Sequence, residues 1–197
     1  MRLYLSSYKL GNKPEELVRL VGEGNKRAAV IVNASDHADA DYRVDSLNRQ
    51  IMDLQNLGFA PEELDLRKYF NNKNELRELI SQYGLVWVKG GNALILQRAF
   101  EQSGFNKIIK EFLAEDKIVY GGYSAGICVC MPTLKGVELV DDPNVVPDGY
   151  KKDFSFEGMN LISYNVAMHY KSDHPESEAV EKEVEFYEEN NMPYKTL

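Results

Sequence analysis

Two continuously apolar segments, Ala28–Ala34 and Leu85–Val88, constrain the fold more than any other feature of this sequence. A strand that is apolar at every position is typical of a sheet that is buried on both faces. A further strand is predicted at Lys117–Tyr120, and segments with helical periodicity separate all three. Strands that alternate with helices predict an α/β protein, with a mostly parallel sheet inside a three-layer α/β/α sandwich.

The remaining elements follow from the same periodicities. Four more strands are predicted, at Leu3–Ser7, Glu63–Leu66, Val137–Val140 and Leu161–Val166. Helices are predicted at Pro14–Glu23, Asp39–Leu57 (with Val44, Leu47, Ile51 and Leu54 on one face), Asn74–Tyr83, Leu94–Gln102, Asn106–Ala114, Ile127–Met131 and Glu176–Glu189. No linker or repeat interrupts the pattern, so we expect residues 1–197 to form a single domain.

Composition and charge narrow the class of protein. The 197-residue chain is 44% hydrophobic, too much for a disordered chain, and carries a formal net charge of −8. An acidic chain without a basic stripe does not favour nucleic acid, and no apolar run approaches the ~18 residues of a membrane span. The start shows no signal-peptide pattern, and two cysteines, Cys128 and Cys130, are too few for a disulfide framework. We expect a cytoplasmic protein with neither nucleic-acid nor membrane partners, and leave a homodimer open.

A Gly-x-Ser-x-Gly motif, Gly122–Gly126, follows the Lys117–Tyr120 strand and precedes a predicted helix. This context is the one that a nucleophile elbow needs, because a sharp strand-to-helix turn exposes the serine hydroxyl above the sheet. Ser124 is then the candidate nucleophile, and the backbone N–H of Ala125 is a natural oxyanion donor at the helix N-terminus. The alternative is a serine that caps the helix, with glycines for close packing.

A second glycine pair, Gly90-Gly91, ends the Leu85–Val88 strand. Glycine lets a backbone amide approach a ligand closely, so the N–H of Gly91 is predicted as the second oxyanion donor. Lys89 and Asn92 flank the pair and are predicted to bind substrate. The alternative is an ordinary strand-to-helix turn in which Asn92 caps the following helix.

A serine nucleophile needs a base, and the chain has three histidines, His37, His169 and His174. His169 follows a predicted strand and is the best placed to face a site at the carboxyl ends of the strands. His37 and His174 fit loops better. The alternative for His169 is a histidine satisfied within the core.

An acid must orient the histidine, and several acidic residues lie between Ser124 and His169. Asp141 and Asp142 directly follow the predicted Val137–Val140 strand and are the best candidates, with Glu138 behind them. The alternative is turn chemistry, because Asp before Pro often begins a turn.

Taken in order, these motifs resemble those of the peptidase E family, the alpha-aspartyl dipeptidase-like serine peptidases, which include cyanophycinase as a relative. The segments that carry the resemblance are Val88–Asn92, Gly121–Gly126, Val140–Pro143, His169-Tyr170 and Ser172–Pro175. The resemblance implies a flavodoxin-like fold related to class I glutamine amidotransferases. It also implies Ser124 as nucleophile, His169 as base, Asp141 or Asp142 as third member, and oxyanion amides at Gly91 and Ala125. The implied activity is hydrolysis of short peptides with an N-terminal aspartate.

The sequence departs from that family in two places. Met168 stands where relatives commonly have proline before the histidine, and the chain stops at Leu197, so we expect a final C-terminal strand to be lacking. An acidic substrate calls for cations, for which Lys89, Arg43 and Lys171 are candidates. No metal or other cofactor is expected. Two rival functions remain: a serine esterase of the α/β-hydrolase type, and a non-catalytic ligand-binding protein on the same scaffold.

Overall fold

Five parallel strands form the central sheet in the computed structural model, which describes residues 1–197. These strands are β1 (Arg2–Ser6), β2 (Arg27–Ile31), β3 (Ala60–Glu63), β4 (Leu85–Val88) and β5 (Val119–Tyr123). Their spatial order is β1-β5-β4-β2-β3, and every pairing is parallel. The carboxyl ends of all five strands therefore lie along one edge of the sheet.

Helices connect the strands and cover both faces of the sheet. They are α1 (Pro14–Val21), α2 (Ala40–Asn56), α3 (Lys73–Ile80), α4 (Ala93–Ser103), α5 (Phe105–Ala114), the short α6 (Ala125–Cys128) and α7 (Ser177–Glu189). Neighbouring residues of β4 belong to different cores, since Leu85 and Trp87 pack with α1 and α2, whereas Val86 and Val88 pack with α3, α4 and α5. Side chains of a strand alternate between faces, so the three-layer α/β/α sandwich is confirmed. None of the helices is long and apolar enough to cross a membrane.

The end of the chain builds a second, smaller sheet. Strand β6 (Asn165–Ala167) pairs in parallel with β7 (Tyr194–Thr196), and α7 connects them. Val180, Val184 and Tyr187 of α7 pack on this sheet, as the spacing of these residues predicts. The sequence predicts no element at residues 194–196, and the predicted lack of a further strand stays a prediction. The turn after β6 brings His169 towards the carboxyl edge of the main sheet.

Several predicted boundaries are wrong, and one of them concerns the end of β5. The strand does not end at Tyr120 but runs through both glycines to Tyr123, pairing with β1 and β4. At Gly121 a Cβ atom would lie 2.7 Å from the ring of Trp87, so only glycine fits between the strands' side chains. The run of apolar side chains that predicted the strand ends at Tyr120 because no side chain fits at Gly121, although the strand itself continues.

Two other predicted strands are also corrected. Val137–Val140 does not form a strand: Val137–Leu139 is a single 3₁₀ turn that begins after Gly136, whose φ of 100° bends the chain. Glu63–Leu66 lies too far along the chain, because β3 ends at Glu63 and a 3₁₀ turn begins at Leu66. Three other boundaries also differ by two to four residues. The strand of Ala28–Ala34 ends at Ile31, that of Leu161–Val166 begins at Asn165, and the helix of Ile127–Met131 is Ala125–Cys128.

The buried face of α2 also differs from the prediction. Val44 is exposed, whereas Ser46, Gln50 and Leu54 are buried. The side-chain oxygen of Gln50 accepts a 2.9 Å hydrogen bond from the indole N–H of Trp87. A polar residue thus lies on the packed face because the buried tryptophan needs an acceptor.

Candidate active site

Ser124 lies at the turn between β5 and α6, in a backbone conformation that residues other than glycine rarely adopt. Its φ and ψ angles are 49° and −114°, and its side chain is partly exposed. Such a conformation costs on the order of 1–3 kcal/mol and persists only where the surrounding structure enforces it. It is typical of residues that are held in place for function rather than for packing.

The glycines around Ser124 are required by the close approach of β4. A Cβ atom at Gly126 would lie 2.7 Å from the carbonyl oxygen of Val88, and one at Gly122 would lie 3.0 Å from the same atom. A Cβ atom at Gly90 would lie 2.9 Å from the Cβ of Ser124 itself. The motif therefore lets two strands and the start of α6 meet around the serine.

Two backbone amides border Ser124. Gly91 has φ of 141°, where a side chain is strained, and its N–H finds no acceptor within the protein. The N–H of Ala125 is the first of α6, and the first amides of a helix have no intrahelical partner. Both residues line a small cavity of about 30 Å³ together with Ser124 and His169. The cavity has room for an oxygen-sized group beside the serine.

A larger cleft of about 530 Å³ opens above Ser124. Its charged residues are Lys9, Arg49, Lys89, Asp53 and Glu176, and its aromatic and imidazole side chains are Tyr8, Tyr42, Tyr123, His169 and His174. The cleft is more polar than a typical ligand pocket, which suits a small charged ligand. Lys9 and Arg49 are not predicted from the sequence, since both lie in segments without a motif.

His169 follows β6 and borders both the cleft and the small cavity. Its φ of 65° turns the chain sharply, and its ring stacks on that of His174 with centroids 4.0 Å apart. Burial lowers the pKa of His169 below its usual 6.5, and the nearby His174 lowers it further. The ring makes no hydrogen bond to Ser124, and such catalytic hydrogen bonds often form only in the complex with substrate.

Of the predicted acids, only Asp141 lines the small cavity. Its Oδ2 accepts a 2.7 Å hydrogen bond from the N–H of Ala93 at the start of α4. Burial raises the pKa of Asp141 to about 7. Asp142 is exposed and accepts hydrogen bonds from both nitrogens of Asn144, which is turn chemistry. Glu138 accepts from the N–H of Gly136 in its own turn.

Two acids that the sequence does not predict lie beside His169. Glu183 of α7 is 3% exposed, lines the small cavity and accepts a hydrogen bond from the hydroxyl of Tyr187. Burial raises its pKa to about 7, with smaller contributions from the nearby carboxylates. Glu176 borders both cavities. A signal for Glu183 exists in the sequence, because it lies three residues after Val180 on the apolar face of α7.

Lys89 and Asn92, the predicted substrate-binding residues, flank the glycine pair and make different contacts. The ammonium group of Lys89 is buried and donates to Ser35 Oγ (2.9 Å) and to the carbonyl of Gly90 (2.8 Å). Burial, and to a smaller extent the nearby Arg49, lowers the pKa of Lys89 to about 8. The side-chain oxygen of Asn92 caps α4 by accepting from the N–H groups of Leu94 and Ile95, as the alternative interpretation predicts.

The two other predicted cations do not reach the cleft. Arg43 forms ion pairs with Asp36 and Glu63 and does not line the cleft. Lys171 is exposed and lies over the ring of Tyr170. The positive charge of the cleft is therefore supplied by Lys9, Arg49 and Lys89. Cys128 and Cys130 are buried and unpaired, as small apolar residues of the core.

Comparison with known proteins bears on the fold of the chain. Among solved structures, a candidate peptidase E from Listeria monocytogenes EGD-e matches with a TM-score of 0.77 and 21% identity, covering 99% of this chain and 89% of that one. A peptidase from an acI-B1 Actinobacterium matches with a TM-score of 0.62 and 17% identity, covering 90% and 73%. These similarities confirm the flavodoxin-like fold.

Sequence comparison gives the family. An uncharacterized peptidase of Listeria monocytogenes is 26% identical over 72% of this chain, and one of Listeria innocua is 24% identical over 60%. The matched regions span 65% and 54% of the lengths of these two relatives. The model of peptidase family S51 matches residues 5–194, which include every residue of the site described above. The chain therefore belongs to peptidase family S51.

Proposed function

We propose that this protein is a serine peptidase that hydrolyses short peptides, with dipeptides bearing an N-terminal aspartate as the first substrates to test. The observation that carries the proposal is the conformation of Ser124. Its φ of 49° at a strand-to-helix turn, enforced by glycines that pack on Val88, fits a nucleophile elbow. A serine that merely caps α6 would not need this strain, and the Ser124 side chain makes no capping hydrogen bond.

In the proposed mechanism, Ser124 Oγ attacks the peptide carbonyl while His169 accepts the hydroxyl proton. The carbonyl oxygen becomes negatively charged and is stabilised by the N–H groups of Gly91 and Ala125. His169 then donates its proton to the leaving amine, which leaves an acyl ester on Ser124. Water, deprotonated by His169, attacks this ester and releases the acid product. The lowered pKa of His169 keeps the ring neutral near pH 7, as a base must be.

Asp141 is the acid that we assign to orient His169. It lines the same small cavity as His169, and one of its oxygens is held by the N–H of Ala93. That hydrogen bond leaves its Oδ1 free to accept from an imidazole N–H. A protonated His169 would also lower the pKa of Asp141 from about 7, because an opposite charge favours the carboxylate.

The charges of the cleft support a small zwitterionic or acidic substrate. Lys9, Arg49 and Lys89 can receive carboxylates, while Asp53 or Glu176 can receive a free amino group. A chain with a net charge of −8 thus concentrates three cations above its candidate nucleophile. This distribution is the reason to begin with aspartyl dipeptides.

The direct test replaces the nucleophile. In Ser124→Ala we expect hydrolysis of a dipeptide panel to fall by roughly 10⁴-fold or more, because the covalent route is lost. Ser163→Ala changes an exposed serine outside the cleft and serves as the matched control. Thermal unfolding of both variants checks that the fold is retained. Native turnover in Ser124→Ala would contradict the proposed mechanism.

The rivals are separated by substrate and by labelling. Short acyl esters tested beside the dipeptides distinguish an esterase from a peptidase. A serine-directed phosphonate should label the protein but not Ser124→Ala. If the protein resists the phosphonate and cleaves neither substrate class, a non-catalytic ligand-binding protein is the better interpretation.

Substitution of Lys89 tests whether the cleft recognises the charge of the substrate. Lys89→Met keeps most of the length of the side chain and removes its charge, so the KM for aspartyl dipeptides should rise more than that for neutral dipeptides. Lys110→Met changes an exposed lysine on α5, away from the cleft, and is the control. An equal effect of Lys89→Met on both substrates would contradict recognition through charge.

A further inference from the structure

We propose that His169, His174 and Glu176 form a binding site for a transition-metal cation of the Zn²⁺ type, and that the bound cation inhibits the site at Ser124. The inhibition rests on the proposed function, whereas the binding does not. Each of the three residues offers one ligand atom, and these atoms all lie within 4.8 Å of one another. His174 Nδ1 lies 3.6 Å from a carboxylate oxygen of Glu176 and accepts a 3.3 Å hydrogen bond from the N–H of Glu176, which a cation bound at this nitrogen would displace.

The loop after β6 holds the two imidazoles together. The hydroxyl of Ser172 donates to the carbonyl oxygen of His169 (2.7 Å) and accepts from the N–H of His174 (3.3 Å). The N–H of Ser177 in turn donates to the carbonyl of His174. These bonds fold the loop back, so that residues five positions apart stack with centroids 4.0 Å apart. The donors are therefore gathered by the backbone rather than by chance contact of long side chains.

The donor set matches the chemistry of zinc. Two imidazoles and one carboxylate are a known set for a zinc ion that keeps a fourth position open to water or another ligand. Bonds of about 2.1 Å in a tetrahedron place ligand atoms about 3.4 Å apart, so the widest spacing, up to 4.8 Å, must contract by as much as about 1.4 Å. The stacked rings must also part, since parallel rings cannot both direct a lone pair at one ion. Glu176 is exposed and His174 only partly buried, which leaves room for this movement.

Charged residues on both sides of the cluster affect the binding of a cation. Asp141 and Glu183 line the small cavity that His169 and Glu176 also border, and their carboxylates favour a cation. Lys89 and Arg49 lie across the larger cleft and oppose it. Because these carboxylates and cations have opposite effects, electrostatic attraction alone contributes little to the binding of a cation. We therefore expect selectivity for cations that form strong bonds to imidazole, such as Zn²⁺, over Mg²⁺ or Ca²⁺.

Binding would remove the proposed base. A His169 nitrogen bonded to a metal cannot accept the proton of Ser124, and a ring held towards His174 and Glu176 cannot turn to the serine. The cation would thus act as a reversible inhibitor at the mouth of the cleft. No step of the hydrolysis proposed above requires it.

Metal binding is measured on the full chain without reference to activity. Zn²⁺ is titrated into metal-free protein in competition with a chromophoric chelator, which reports stoichiometry and affinity. We expect one equivalent to bind, and His174→Ala and Glu176→Gln each to weaken binding by roughly tenfold or more. His37→Ala removes the one histidine outside the cluster and should leave the affinity unchanged. Mg²⁺ should not compete.

Inhibition is then measured with a dipeptide that the panel described above shows to be hydrolysed. Zn²⁺ should inhibit the protein and His37→Ala, whereas His174→Ala and Glu176→Gln should each retain more of their own metal-free rate. Absence of stoichiometric zinc binding, or equal affinity in His174→Ala and Glu176→Gln and in the parent, overturns the metal site even if peptides are hydrolysed. Zinc binding that depends on these residues in a protein without peptidase activity overturns the proposed function and supports the site.

Discussion

Replacing Glu183 by glutamine should stabilise the protein at alkaline pH and remove the part of its pH dependence that this carboxyl contributes. Glu183 is 3% exposed, and burial raises the pKa of its carboxyl to about 7 from a usual value of 4.5. The folded protein therefore holds a proton between pH 4.5 and 7 that the unfolded chain has already released. Over that range the free energy of unfolding falls as the pH rises. Above pH 7 the full cost of keeping an ionised, buried carboxylate remains.

The size of the effect follows from the two pKa values. The interval between 4.5 and about 7 corresponds to about 3 kcal/mol at full ionisation. Between pH 5 and pH 8 the wild-type protein should lose about 2–3 kcal/mol relative to Glu183→Gln. Glutamine keeps the shape and an oxygen that can accept the Tyr187 hydroxyl, so the substitution removes the charge and little else.

Urea unfolding at several pH values between 5 and 8 measures this prediction. The free energy of unfolding of each protein is extrapolated to water at each pH. Glu185→Gln, two positions along α7 on its exposed side, is the matched control and should follow the wild-type protein. Parallel curves for Glu183→Gln and wild type, or a less stable Glu183→Gln at pH 8, would refute the reasoning.

Three further predictions concern the candidate active site. Gly126→Ala places a Cβ 2.7 Å from the Val88 carbonyl, so thermal unfolding should show a loss of about 1–3 kcal/mol and turnover should fall as the serine turn moves. Asp141→Asn should lower kcat by tenfold or more, whereas Asp142→Asn, at an exposed turn, should change kcat less than twofold. The pH profile of kcat/KM should lose activity on acidification with a midpoint below 6.5, because burial lowers the pKa of His169, and a midpoint above 7 would contradict its role as base.

The sequence predicts the main sheet well because its strands have an unusually strong signal. Strands buried on both faces are apolar, and this holds for all of β4 and for β2 after its first residue, Arg27. The weak predictions fall where packing overrides the pattern. The 3₁₀ turn at Val137–Leu139 buries one side of a β-branched segment. Strand β5 continues through Gly121, where the ring of Trp87 leaves no room for a Cβ atom.

At the site, sequence order alone selects Ser124, His169 and Gly91, and the structure brings these three around one small cavity. It also selects two adjacent acids that no sequence argument can separate. The structure distinguishes them, because Asp141 lines that cavity and Asp142 closes an exposed turn. The proposed triad itself stays a prediction until the variants are measured.

The sequence by itself determined the α/β class, the motif order and the strained serine turn, because these depend on local patterning and on glycine's freedom of conformation. Only the tertiary structure decided which charges meet. Lys9 lies in the loop after β1, and Arg49 lies in α2. His174, Glu176 and Glu183 come from the far end of the chain, yet all five residues line the cavities around Ser124. Electrostatics depends on distance in space and on burial, and neither can be read from separation along the chain.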